Sequence, residues 1–165
     1  MSSDAYTVKE CRALLATPGG CAELEAAIAR ACGWRPYWEH VDGAAGGHSP
    51  SWQRGGAGAT FETCFPPPPY LTTATCKPGY GDRCLEMLAA LTAWATDELT
   101  VDEGSLNIAW EAHSQMWEVW AIPDWRATSQ LDEWLFNEDA PTLADALCLA
   151  LAAAGLLRKE GKADE

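Results

Sequence analysis

Positive charge is scarce in this sequence. It sets 11 Lys and Arg against 24 Asp and Glu, for a formal net charge of −13. A surface that tracks nucleic-acid phosphates needs clustered Lys and Arg, so the balance argues against direct nucleic-acid binding. It argues against anionic membranes for the same reason. Long apolar runs are missing too. The longest, Ala146 to Leu157, is closed off by Asp145 and Arg158 and is too short to span a bilayer. It reads as a buried helix.

Catalytic and metal-binding signatures are equally thin. Three histidines offer few general bases, and no Gly-x-Ser-x-Gly elbow, His-Glu-x-x-His motif or kinase-type loop occurs. Gly55-Gly56-Ala57-Gly58 lacks the Lys-Ser/Thr ending of a phosphate-binding P-loop. The pairs Asp102/Glu103 and Asp132/Glu133 are adjacent in sequence. In a strand such neighbours point to opposite faces, which suits them poorly to joint acid–base work. No Cys-x-x-Cys occurs, and Cys64, Cys76 and Cys84 with His40, His48 or His113 match no zinc knuckle or ribbon. No metal and no cofactor is expected. The seven cysteines are odd in number and no secretory apolar segment precedes them, so a reducing cytosol is the expected setting.

What the sequence has in excess is tryptophan, nine in 165 residues. Each indole brings a large contact area and an N–H that needs a partner once buried. Length and a 48% hydrophobic fraction fit one globular domain over residues 1–165.

Periodicity locates the elements. Thr7-Val8-Lys9-Glu10 has the form of a capping box, and Val8, Cys11 and Leu15 would share a face behind it. Thr17-Pro18-Gly19-Gly20 interrupts this extension of about 20 residues. Leu24, Ala27, Ile28 and Ala31 predict a helix from Cys21 to Cys32, with Gly33 as its stop. Trp34 to Trp38 is a short aromatic stretch, a brief strand or an extended arm. Residues 42–60 are rich in Gly, Ala and Ser and read as a long mobile loop. With the stiff Pro66–Pro69 turn they make one Gly/Pro-rich segment, 42–69.

Asp82 is a good N-cap for a second helix, with Leu85, Leu88, Leu91, Thr92 and Ala95 on one face. Leu99 to Val101 reads as a short edge. Alternation then predicts strands at 106–111 and 116–122 around a turn at Ala112 to Gln115. Pro123 ends the second, and Leu131 to Phe136 is a candidate third strand. The last helix opens at Thr142, with Asp145 three residues on, and is expected to be the most buried element, Leu143 to Leu157. From Arg158 the tail, 158–165, reads as solvated charge.

This order resembles the phage αβα-sandwich domain proteins, small proteins of tailed phages and prophages. The matching pieces are the helix ending in Gly33-Trp34, Pro68-Pro69-Tyr70-Leu71-Thr72-Thr73 leading into the middle helix, and Ala140-Pro141-Thr142-Leu143-Ala144-Asp145-Ala146-Leu147-Cys148 opening the last. The resemblance implies an α+β fold, a small antiparallel sheet packed between helices, and a phage protein working in the host bacterial cytoplasm. It carries over no catalytic residues.

Together these readings favour a non-catalytic accessory or inhibitor protein. In one version it sequesters a nucleotide-like signal of host defence. The pocket would draw on Arg35, Trp38, Trp52, Arg54, Tyr70 and Trp117. His48 in the loop, Thr72 and Thr73 beyond Tyr70, and Trp120 are further candidates. Indoles would stack on a planar body, and isolated arginines would take its charge. In the other version it caps a host protein with exposed Trp anchors on an acidic surface. A homo-oligomer fits either, and a small hydrolase with an unrecognised site is the enzyme alternative.

Overall fold

The computed structural model describes residues 4–17, 20–37, 51–54, 62–64, 70–71, 82–99, 104–123 and 135–159. In chain order the elements are α1 (Val8–Ala16), α2 (Cys21–Ala31), β1 (Arg35–Tyr37), β2 (Ser51–Arg54), β3 (Glu62–Cys64), α3 (Asp82–Glu98), β4 (Ser105–Glu111), β5 (Met116–Ile122), β6 (Phe136–Ala140) and α4 (Leu143–Ala153). The strands form two antiparallel three-stranded sheets, β1-β2-β3 and β4-β5-β6. The α+β class read from the sequence, a small antiparallel sheet packed between helices, is the class observed, with two such sheets in place of one.

Local chemistry explains the helix ends. At Thr7 the side-chain oxygen accepts the Glu10 N–H at 3.1 Å while Glu10 accepts the Thr7 N–H at 2.8 Å, the expected capping box. Thr142 caps α4 by accepting the Asp145 N–H at 3.2 Å. At the far ends, α2 and α4 close in the same way. The Trp34 N–H reaches the Ala29 carbonyl and the Leu156 N–H reaches the Leu151 carbonyl, each at 2.9 Å. Both motifs need a left-handed residue, which Gly33 (φ 96°) and Gly155 (φ 76°) supply. This corrects the expected end of the last helix. It stops at Ala153, and Leu157 is buried from an extended segment whose carbonyl accepts the Tyr6 N–H at 2.8 Å.

Helix α4 is the centre of the core. Residues Ala146 to Ala152 are all buried, and α4 packs on β5, β6, α1, α2 and α3. The hairpin β4–β5 pairs Ser105 with Ile122 through Glu111 with Met116, as the alternation predicted. Val119, Ala121, Phe136 and Ala140 are the buried members of one face, and Trp94 of α3 meets the Phe136 ring at 5.6 Å.

Four further expectations need correction. The third strand of this sheet is Phe136–Ala140; the expected Leu131–Phe136 overlaps it only at Phe136, and 131–134 lie outside the described residues. Asn137, Glu138 and Asp139 hide its period, because Arg12 of α1 binds the last two at 3.0 and 3.3 Å. The buried side of α3 is Met87 and Leu91, with Cys84 and Trp94 packed beside them, whereas Leu85 is exposed. The expected stripe is displaced; its members Leu88 and Ala95, with Leu99, line a groove of about 520 Å³ against Leu106 and Ile108. Part of the presumed loop, Ser51–Arg54, is a strand held between β1 and β3. The tail is also not free at its start, since Arg158 bridges Ala5 and the Lys159 ammonium holds Glu10 at 2.8 Å. Leu99 lies just beyond α3 and outside any strand; residues 100–103 and 65–69 are not among those described.

Candidate functional site

The first sheet, α2 and the start of α3 converge on one cluster. The Gly33 turn sends Trp34 inward, where it is 2% exposed. Alternation along β2 places Trp52 and Arg54 on one face of the strand, and Trp52 is buried. The Arg54 guanidinium stacks over the Trp34 ring at 4.7 Å. Arg83, one residue into α3, lies 5.5 Å from the Trp34 ring and 5.5 Å from the Tyr70 ring. Both guanidiniums bind a single carboxylate, Glu86, one turn further along α3; the Arg83 bond is 2.7 Å.

The side chains of Arg54, Arg83 and Glu86 are 25%, 20% and 19% exposed, so the charges are partly withdrawn from water but reachable from it. Stacked, half-desolvated guanidiniums are worth more to an anion than surface ones. Two buried donors in the cluster are poorly satisfied. Trp34 Nε1 makes no hydrogen bond, which costs about 1–3 kcal/mol, and Tyr70 Oη has only the Cys32 thiol, a weak acceptor, beside it.

Tyr70 is fixed from α2. The Glu25 carboxylate accepts the backbone N–H of Tyr70, and also that of Leu71 at 3.2 Å. Burial pushes the Glu25 carboxyl up to about 7, against the pull of those two bonds. Cys32, two turns after Glu25 on α2, brings its thiol beside the Tyr70 hydroxyl. Burial raises that thiol to about 11, in spite of the nearby Arg54 and Arg83, so it stays protonated at neutral pH and is no nucleophile. Burial, and then Cys32, push the Tyr70 phenol well above its usual range. The arrangement can bind an anion and donate hydrogen bonds; among the described residues it pairs no general base with a nucleophile.

Of the sequence candidates, Trp52, Arg54 and Tyr70 meet here. Arg35 sits on β1 paired with Gln53, on the opposite face from Trp52 and Arg54, and is exposed. Trp117 and Trp120 belong to the second sheet and to its two faces, Trp117 paired with Trp110 and Trp120 with Asn107. Trp38, His48, Thr72 and Thr73 lie outside the described residues. Sequence reasoning missed Trp34 as a site residue, and it missed Arg83, Glu86 and Glu25. Glu25 did leave a signal: it is a carboxylate inside the apolar stripe of α2, seven residues before Cys32 and therefore on the same face.

Compared with protein-family models, curated proteins and solved structures, the chain matches none. Among the described residues no group of three His, Cys, Asp or Glu is placed to hold a metal ion, and no helix is long and apolar enough to cross a membrane.

Proposed function

We propose that this chain works by binding a small anionic molecule with a planar body, a nucleotide-like phosphate ester being the class that fits best, at the Arg54–Arg83 cluster. The observation that carries the reading is the convergence of two stacked guanidiniums on one carboxylate beside two poorly satisfied buried donors. Glu86 then occupies the seat that the ligand's anion takes, and the Trp34 and Tyr70 donors gain a strong acceptor on binding. An acidic protein gains selectivity from such a site, because cations concentrated at one point on a negative surface admit only ligands that use them fully. In the phage setting that the motif order implies, the role is a non-catalytic inhibitor that sequesters a nucleotide-like signal of host defence.

Tryptophan fluorescence titrated with mononucleotides and cyclic dinucleotides tests this, since Trp34 lies in the site. A saturable response that Arg83→Ala abolishes supports it; a flat response across the panel removes it. One observation favours a second reading, the capping of a host protein: Trp110 is 50% exposed on the hairpin, and so is Leu135 beside β6. Under that reading Trp110→Ala weakens capture of the partner while the Arg54–Arg83 cluster is indifferent.

A further inference from the structure

Between β3 and α3 the chain covers 17 residues, 65–81, and Tyr70 and Leu71 are its described residues. Both are buried, at 3% and 1% exposure. Their two successive N–H groups point at one side chain, and each uses a different oxygen of it, Glu25 Oε2 for Tyr70 and Oε1 for Leu71. Tyr70 in turn supplies the ring face under Arg83 and one of the two poorly satisfied donors of the cluster. Glu25 thus stands behind the anion site, touching its framework and not its ligand seat.

We propose that Glu25 is the positioning residue of the anion site: its ionised carboxylate holds the Tyr70–Leu71 backbone in place, and protonation loosens that hold and weakens binding of the anion. This rests on the anion-site reading. A carboxylate accepts both N–H groups with full charge assistance, whereas the protonated acid must keep one oxygen as a hydroxyl and accepts weakly there. Burial, and after it the groups facing Glu25, make the switch fall near neutrality. Asp145 of α4 is a like charge that raises it; Cys148 of α4 is near but protonated, its thiol held well above the usual range; Tyr70 and Leu71 offer only their N–H groups. Burial is the largest influence and sets the carboxyl at about 7. Asp145 is itself raised, by burial, against a hydrogen bond from Thr142.

The test has an arm that needs no ligand. In the full chain the Tyr70 and Leu71 amide resonances should titrate together, moving upfield as the pH falls, with a midpoint near 7. Glu25→Gln should abolish this, and Asp145→Asn should lower the midpoint. Amides that do not move between pH 8 and 6, or that move at an ordinary carboxyl midpoint, overturn the proposal without any variant being needed. The second arm uses sulfate, whose charge is constant over this range. If only the ionised form is competent, wild-type affinity should be about tenfold weaker at pH 6 than at pH 8, with the dependence lost in Glu25→Gln. Equal affinity at both pH values overturns the coupling. Absence of sulfate binding at pH 8 removes the anion site and the coupling with it, while the amide titration still decides whether Glu25 holds the backbone.

Discussion

The Arg54 guanidinium lies 4.7 Å from the centre of the Trp34 ring, joining the second strand of the first sheet to the residue whose N–H closes the end of α2. Twenty positions separate them and no local pattern links them; the Gly33 turn and the β1–β2 register bring them together. Trp34 is also an energetic anomaly, because its indole N–H is buried without a partner. Trp34→Phe removes that donor along with part of the ring. We predict a stability change within about 1 kcal/mol of zero, against about 3–5 kcal/mol lost in Trp34→Ala. Urea denaturation midpoints check both.

Acid and base should move stability in a definite direction. Glu25 has a folded value of about 7 against an ordinary 4.5. The folded state therefore holds the proton more tightly than the unfolded chain. Its contribution is most favourable below pH 4.5, declines as the pH rises from about 4.5 to about 7, and is lost above. Burial raises Asp145 and Glu138 too, with the same sign. Glu10, held at about 2 chiefly by Lys159, acts the other way but only below about pH 4.5. Melting temperatures should thus fall between pH 5 and pH 8, and Glu25→Gln should flatten that slope.

The cap at Thr7 should carry its usual weight. Thr7→Ala removes the acceptor for the Glu10 N–H and the reciprocal bond geometry, at a cost of about 1 kcal/mol. Because Lys159 also binds Glu10, fraying of α1 should spread to the C-terminal segment, and hydrogen exchange at Tyr6 and Lys159 should rise together.

Core truncation should be expensive in α4. Leu147 and Leu151 are buried at the meeting of three helices and a sheet, so Leu147→Ala should cost about 2–5 kcal/mol. Leu85→Ala on α3, where the side chain is 65% exposed, should change stability by less than about 0.5 kcal/mol. The pair separates the observed α3 orientation from the one its leucine spacing predicts.

Much of the fold was legible wherever local chemistry decided it. Thr7, Thr142, Gly33 and the 106–122 alternation each fix a cap or a register within a few residues. The third strand was hidden because its polar residues are compensated from α1, 126 and 127 positions away. The short strands β2 and β3 have too few residues for a period and exist by pairing. The site was half legible. Trp52, Arg54 and Tyr70 announced themselves as aromatic and cationic residues outside the elements that periodicity predicts. Arg83 and Glu86 looked like ordinary helix-surface charge, since nothing local shows that Trp34 and Tyr70 lie beneath them.

The most direct test of the anion site is calorimetric titration of a mononucleotide or cyclic dinucleotide ligand into three proteins, the wild type, Arg83→Ala and Glu86→Gln. If the ligand's anion replaces the Glu86 carboxylate between the guanidiniums, Arg83→Ala loses binding and Glu86→Gln binds more tightly than the wild type. Unchanged affinity in Arg83→Ala, or weaker affinity in a folded Glu86→Gln, would contradict the account.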